Sequence, residues 1–171
     1  MVHGVDEKSS HRRHPDWLWR LGLVPLAVLL LAIALPIALV YLAARLAVTL
    51  LLQAVVWATW YPRGRYALVV YSDSPIWGPY FEREILPAVG GRGVVLNWSE
   101  RKRWKWSLPV ALFHAFAGSR EFNPVAIVFP PLRWPRRFRF YQAFRAMKHG
   151  KPGQVEETRQ QLLQLLDRIG R

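Results

Sequence analysis

The stretch "YALVVYSDSPIWGPYFEREILPAVG", residues 66–90, has the pattern of a β-strand that turns into an α-helix. Its aliphatic, β-branched and aromatic start predicts a buried strand over about residues 65–72. Pro79 suits the first turn of a helix, where a missing N–H costs no hydrogen bond. The next apolar residues recur every fourth position and form one helical face: Phe81, Ile85 and Val89. The stretch therefore predicts one strand–helix unit of an α/β domain.

The elements after this unit continue the alternation of strands and helices. "RGVVLNWS" predicts a second strand and "NPVAIVF" a third, with the helix "SLPVALFHAFAG" between them. "RRFRFYQAF" alternates basic and aromatic residues, which is typical of an edge strand with one buried face. "PGQVEETRQQLLQLLDRIG" is an amphipathic helix. The predicted order is β-α-β-α-β-β-α over residues 62–171, and a hairpin is one option for the proline-rich link "FPPLRWPRR" between the last two strands.

A long apolar block precedes the domain. In residues 21–60 the only charge is Arg45, and residues 21–44 exceed the roughly 20 apolar residues that cross a bilayer as a helix. The block predicts a membrane anchor over residues 21–61. Its second part is short for a span and ends in Trp57, Trp60 and Tyr61, residues that favour the headgroup region. Three arrangements are open: one span followed by an interfacial helix, a helical hairpin, or one long bent helix.

The charge distribution indicates orientation and partners. The net charge is +13, from 24 basic and 11 acidic residues, and residues 1–20 form a partly basic polar tail. Basic residues are more numerous after the apolar block than before it, which places the C-terminal domain in the cytoplasm, at a bacterial inner membrane. An anionic leaflet is the nearest partner of a tethered basic domain, where each Lys or Arg near the surface contributes about 1 kcal/mol.

The element order resembles that of the thioredoxin-like fold over about residues 65–170, and two short motifs carry the same resemblance. Ile76-Trp77-Gly78-Pro79-Tyr80 stands where that family has Trp-Cys-Gly-Pro-Cys between its first core strand and helix. Asn123-Pro124 precedes the third strand, where the family has a cis-proline that faces the motif. The resemblance implies a thioredoxin-like domain behind an N-terminal transmembrane segment.

The redox chemistry of that family requires cysteines that this chain lacks. Trp77 and Tyr80 occupy the two cysteine positions, and the sequence contains no cysteine. Thiol–disulfide exchange needs one thiolate to attack and another to leave. We therefore expect a non-redox binding or scaffolding module that needs no cofactor, whose site is either reused or vestigial. No protein partner is indicated by the sequence.

A polar turn follows the first strand, at the carboxyl end where open α/β sheets usually bind ligands. The candidate ligand-pocket residues are Asp73, Ser74, Trp77, Tyr80 and Pro124. An alternative function is an enzyme that uses this pocket on a phosphorylated or lipid-linked substrate. Asp73 and Ser74 are equally typical of helix caps. His114 within an apolar helix indicates a packed histidine rather than a hydrolytic triad with these residues, and no metal site is predicted.

Two segments mix basic and aromatic residues: "WSERKRWKW", residues 98–106, and "RWPRRFRF", residues 133–140. Such mixtures occur at bilayer surfaces, in nucleic-acid-binding sites and in loops whose tryptophans are buried. The membrane tether favours the bilayer surface over nucleic acid. The candidate membrane-surface residues are Arg101, Lys102, Arg103, Trp104, Lys105, Trp106, Arg136 and Arg137.

Overall fold

The computed structural model describes residues 17–118, 123–150 and 153–170, and the chain divides into two compact units, Met1–Arg45 and Leu46–Arg171. Most of the predicted basic tail, residues 1–16, lies outside the described residues. Among the described residues, one apolar helix, α1 (Trp17–Thr59), is long and apolar enough to span a membrane. Its 43 residues exceed the roughly 20 that cross a hydrocarbon core as a helix.

Of the three arrangements predicted for the apolar block, the structure has one long helix. It has no turn at Arg45, where a hairpin or a separate interfacial helix would begin. Both prolines inside the helix, Pro25 and Pro36, precede that position. The Arg45 guanidinium donates a hydrogen bond to the Tyr41 hydroxyl one turn earlier (3.3 Å). An arginine in an apolar helix thus has a polar neighbour on the same face.

The last turns of α1 belong to the C-terminal unit. Leucines up to Leu51 are exposed, whereas Gln53, Val56 and Trp60 are buried in the unit's core. The compact unit therefore begins at Leu46, upstream of the predicted domain start at Pro62. The reason is that one face of the helix packs on the sheet through these buried residues.

Short strands alternate with helices in the rest of this unit. The strands are β1 (Ala67–Tyr71), β2 (Gly93–Asn97), β3 (Val125–Val128) and β4 (Arg136–Arg139). The α-helices are α2 (Gly78–Tyr80), α3 (Leu86–Val89), α4 (Leu108–Phe116), α5 (Phe140–Lys148) and α6 (Gly153–Ile169). A π-helical turn, Phe81–Ile85, joins α2 to α3, and 3-10 turns lie at Tyr61–Arg63, Gly90–Arg92 and Trp98–Arg103.

The four strands form one mixed sheet in the order β2-β1-β3-β4. β1 and β2 are parallel, with Ala67 opposite Gly93 and Tyr71 opposite Asn97. β3 is antiparallel to both β1 and β4. The predicted α/β class with an N-terminal apolar helix is thus confirmed, and of the options for the β3–β4 link the structure has the antiparallel pair. All residues of β3 are buried, and so are those of β1 except its last residue, the half-buried Tyr71.

Each face of the sheet carries a layer of helices, because β1 sends alternate side chains to opposite faces. Ala67 and Val69 face a cluster built with the 78–89 helical run, α5 and α6. Leu68 and Val70 face a second cluster built with the end of α1 and with α4. The domain therefore has three layers, and the carboxyl end of α1 forms part of one of them.

One predicted strand is confirmed only in its first half. The segment "RRFRFYQAF" was expected to be one strand, but only Arg136–Arg139 is extended and α5 begins at Phe140. Phe140, Ala143 and Phe144 are spaced as one helical face and are all buried. The order is therefore β-α-β-α-β-β-α-α, because this helical spacing prevails where the alternation of basic and aromatic residues ends.

Candidate functional site

Polar side chains meet where the parallel strands β1 and β2 end. We call this end of the sheet the polar edge; it comprises Ser72, Asp73, Ser74, Asn97 and Ser99. Asn97, the last residue of β2, donates a hydrogen bond from Nδ2 to Asp73 Oδ1 (2.8 Å). The Ser99 hydroxyl accepts a hydrogen bond from the Asp73 N–H (3.0 Å), and Asn97 Oδ1 accepts one from the Ser99 N–H (2.9 Å). The predicted candidate Asp73 is therefore held by residues that follow β1 and β2, at the sheet edge where α/β ligand sites usually form.

Ser72 joins three segments at the same edge. Its hydroxyl accepts a hydrogen bond from Trp77 Nε1 (3.0 Å) and donates one to Asn123 Oδ1 (3.0 Å). The Asn123–Pro124 peptide bond is cis, and Pro124 is buried at the start of β3. Trp77 and Pro124, both predicted site residues, are thus brought to one edge, with Ser72 as the hydrogen-bonded link between their segments.

Ser74 has local partners within the turn. Its hydroxyl accepts a hydrogen bond from the Ile76 N–H (3.3 Å), and its carbonyl accepts one from the Gly78 N–H (2.8 Å). A Cβ at Gly78 would lie 3.4 Å from the Ser72 carbonyl oxygen, so the turn packs closely there. These contacts explain Ser74 as a residue that shapes the turn, which is a common role of serine.

An aromatic cavity of about 250 Å³ lies beside Trp77 rather than beside Asp73. The Trp77 ring makes edge contacts with Tyr141 and a tilted contact with Phe144, each at 6.1 Å between centroids. Arg145 and His149 complete the lining of this cavity. Asp73, Ser74 and Pro124 do not line it, so the five predicted pocket residues do not enclose one common cavity in the described part of the chain.

Tyr80, the last residue of α2, is half-buried among aromatic side chains. Its ring packs edge-on against Phe144 (5.5 Å), and its hydroxyl is buried without a hydrogen-bond partner among the described residues. Burial raises the pKa of Tyr80, and the Glu156 carboxylate raises it further. The hydroxyl therefore stays protonated at neutral pH, and Tyr80 is a packed side chain rather than a base.

The first basic–aromatic segment has exposed cations around a packed tryptophan. Arg101, Lys102, Arg103 and Lys105 are exposed, and so is Trp106, which is 85% exposed. Trp104 is half-buried: its ring packs edge-on against Phe113, and its Nε1 donates a hydrogen bond to the Asn97 carbonyl (3.1 Å). Of the membrane-surface residues predicted in this segment, Trp104 packs against the core and its neighbours are exposed to solvent.

The two basic–aromatic segments lie at opposite ends of the sheet. Residues 98–106 follow the carboxyl end of β2, next to the polar edge. Residues 129–135 join β3 to β4 at the other end, where the Phe129 N–H donates to the Tyr66 carbonyl (2.9 Å). Arg136 and Arg137 begin β4 there and are exposed. The end at residues 129–135 is also the end at which α1 leads into β1.

The link between β3 and β4 carries an exposed surface that extends beyond the second basic–aromatic segment predicted from the sequence. Leu132 is 88% exposed with a positive φ of 54°, and Trp134 is 59% exposed. A cavity of about 500 Å³ beside this link is lined by Arg133, Arg136 and Arg168. The quoted segment "FPPLRWPRR" contains two of these arginines, but only the fold brings α6 and its Arg168 to them.

The described residues contain no group of three or more histidine, cysteine or carboxylate side chains that could hold a metal ion. The prediction of a packed His114 is wrong, because His114 lies on the exposed face of α4, where its ring makes an edge contact with Phe113 (5.5 Å between centroids). His11 and His14, in the N-terminal tail, lie outside the described residues. Comparison of the chain with protein-family models, with curated proteins and with solved structures gave no match.

Proposed function

We propose that the chain is a membrane-anchored binding module, whose thioredoxin-like, non-redox domain lies at the anionic cytoplasmic leaflet of a bacterial inner membrane. The fold assignment is supported by the parallel β1–β2 unit, the antiparallel β3–β4 pair and the terminal helix α6. It is also supported by the Ser72 hydroxyl, which connects the Trp77 side chain after β1 to the Asn123 side chain before β3. Helix α5 is an addition to the predicted order.

The observation that carries the proposal is the way in which α1 ends. The helix has exposed apolar side chains up to Leu51 and then buries Val56 and Trp60 in the core of the domain. A helix with so many exposed leucines is stable in lipid and not in water. The domain is therefore held directly at a bilayer surface, where a chain with a net charge of +13 is attracted to anionic lipid.

The hydrogen bonds at the polar edge agree better with a binding function than with an enzymatic function. The Ser72 hydroxyl bonds a residue just before β3, the Asp73 carboxylate accepts a hydrogen bond from the end of β2, and the Ser74 hydroxyl accepts one within its own turn. A general base or nucleophile needs instead a geometry that reaches a substrate atom. The alternative enzyme at residues 73–80 therefore has weaker support than a module that holds a partner.

The test is whether the intact chain is an integral membrane protein. Membranes of an expression host are washed with alkaline carbonate, which removes peripheral proteins, and the chain is expected to stay in the pellet. Replacing Leu30 and Leu31 by arginine, at about 2.5–3.5 kcal/mol for each arginine at the centre of a span, is expected to move it out of the pellet. Trp106→Arg, on the exposed domain surface, is the control and should not change the fractionation. Extraction of the unmodified chain by carbonate would overturn the proposal.

A further inference from the structure

The cavity beside the β3–β4 link has the composition of a site for a phosphate group attached to an apolar chain. Its volume is about 500 Å³, and its polar lining is formed by Arg133, Arg136 and Arg168. Its apolar lining includes Trp134, Leu165 and Ile169. Guanidinium groups bind phosphate oxygens through paired N–H donors, and apolar side chains beside them accommodate hydrocarbon.

Within the described part of the chain, no carboxylate forms an ion pair with any of the three arginines. Among the described residues, the ion pairs involve Arg92 with Asp167 and Arg159 with Glu84 and Glu156. Three like charges around one cavity repel one another, and a bound anion relieves that repulsion. The cavity is thus electrostatically complementary to a phosphate.

The position of the β3–β4 link indicates where that phosphate comes from. The buried Gln53 of α1 donates a hydrogen bond to the Arg133 carbonyl, so the link is fixed beside the helix. A second cavity, of about 270 Å³, lies between Leu50 and Trp57 of the helix and Leu132 and Trp134 of the link. The exposed apolar surface of α1 includes Leu50 and Leu51 and ends soon after them. The link therefore packs beside the end of that surface.

Simpler explanations account for some of these residues but not for the whole surface. Arg168 lies in the last turn of α6, where a cation is favoured by the helix dipole. The Arg136 guanidinium lies 6.0 Å from the centre of the Phe138 ring. Neither contact explains why Leu132 and Trp134 are exposed next to Arg133. An apolar pair beside cations, level with the end of a lipid-exposed helix, matches the headgroup region of a bilayer.

We propose that Arg133, Arg136 and Arg168 bind the phosphate of an anionic membrane lipid, while Leu132 and Trp134 insert at the headgroup level. This inference rests on the proposed membrane anchorage. The anchor alone places the domain near the bilayer, and this inference adds a defined lipid-binding site on the domain.

The test measures lipid binding to the full chain in detergent micelles, with native mass spectrometry of bound lipid as the readout. Short-chain phosphatidylglycerol is expected to bind at least tenfold more tightly than phosphatidylcholine. The variant in which Arg133, Arg136 and Arg168 are all glutamine should lose at least tenfold in affinity for phosphatidylglycerol. The matched control replaces Arg101, Lys102 and Arg103 by glutamine, which removes the same charge. The sequence predicted these three residues at the membrane surface, but they lie at the end of the sheet opposite to the β3–β4 link, so the lipid site does not include them and the control should bind as the unmodified chain does.

Three outcomes would overturn the lipid site. They are an equal loss in the two triple variants, equal binding of the two lipids, and displacement of the lipid by inorganic phosphate at the lipid's own concentration. If the triple variant does not fold, Arg133→Gln and Arg168→Gln are measured singly, and each should lose several-fold in affinity; no loss in either overturns the site. A carbonate-resistant chain without this lipid selectivity would leave the anchorage standing, so the two proposals fail separately.

Discussion

Ser72 connects the candidate site at the scale of single residues. Its hydroxyl bonds both Trp77, in the turn after β1, and Asn123, immediately before β3. A hydroxyl serves this position because it donates and accepts at once. The sequence shows a serine after the first strand, but it does not show which of three adjacent polar residues faces the third strand. That choice depends on the direction that the backbone takes after the end of β1.

Replacing Ser72 by alanine is expected to lower the free energy of unfolding by about 1–3 kcal/mol. The reason is that Trp77 Nε1 and Asn123 Oδ1 both lose a partner at a half-buried position. The measurement is thermal or denaturant unfolding of the full chain in detergent. Ser107→Ala is the matched control, since Ser107 is exposed and makes no side-chain capping bond, and it should change stability by less than about 0.5 kcal/mol. Equal effects of the two substitutions would contradict the structural role of Ser72.

Trp104 and Trp106 show what a local pattern leaves undetermined. They lie two residues apart in the same basic segment, yet Trp104 packs on Trp98 and Phe113 and Trp106 is exposed. Composition predicts cations at the surface, and those cations are exposed. Which tryptophan is buried depends on where α4 places Phe113. The contact between Trp104 and Phe113 joins two segments that are analysed separately in the sequence.

At the scale of elements, the difference between prediction and structure lies at β4 and α5. Alternation of arginine with phenylalanine through Arg139 predicts a strand, and the strand exists. From Phe140 onward the apolar residues instead follow helical spacing, and α5 packs over the same cluster as α6. Period-two and helical patterns overlap in a run this short, so the boundary could not be read from periodicity alone.

The end of α1 acts as an element of the domain, and Trp60→Ala tests this. Trp60 is 6% exposed and its ring packs edge-on against Phe129 (6.1 Å between centroids). Its truncation is expected to cost about 3–5 kcal/mol of unfolding free energy, as for other buried large-to-small changes. Trp106→Ala, at an 85% exposed tryptophan, should cost less than about 0.5 kcal/mol. Denaturant unfolding in detergent separates the two, and a mild effect at Trp60 would show that the helix end is not part of the core.

At the scale of the whole molecule, the apolar block and the α/β class could be predicted because each rests on long, regular patterns. The positions of the two basic–aromatic segments could not. Their assignment to opposite ends of the sheet follows from the antiparallel direction of β3, which sends residues 129–135 back to the end where α1 enters. Charge composition alone does not distinguish the positions of the two segments.

The orientation of the chain is testable because the sequence contains no cysteine, so one introduced thiol is the only one. Gln164→Cys places it on an exposed face of α6, and Ser9→Cys places it before α1. If the domain is cytoplasmic and α1 crosses the bilayer once, a membrane-impermeant maleimide should label Ser9→Cys in intact spheroplasts and label Gln164→Cys only after permeabilisation. Labelling of Gln164→Cys in intact spheroplasts would reverse the orientation. Protection of both positions would place both ends of α1 on the cytoplasmic side, which a single spanning helix does not allow.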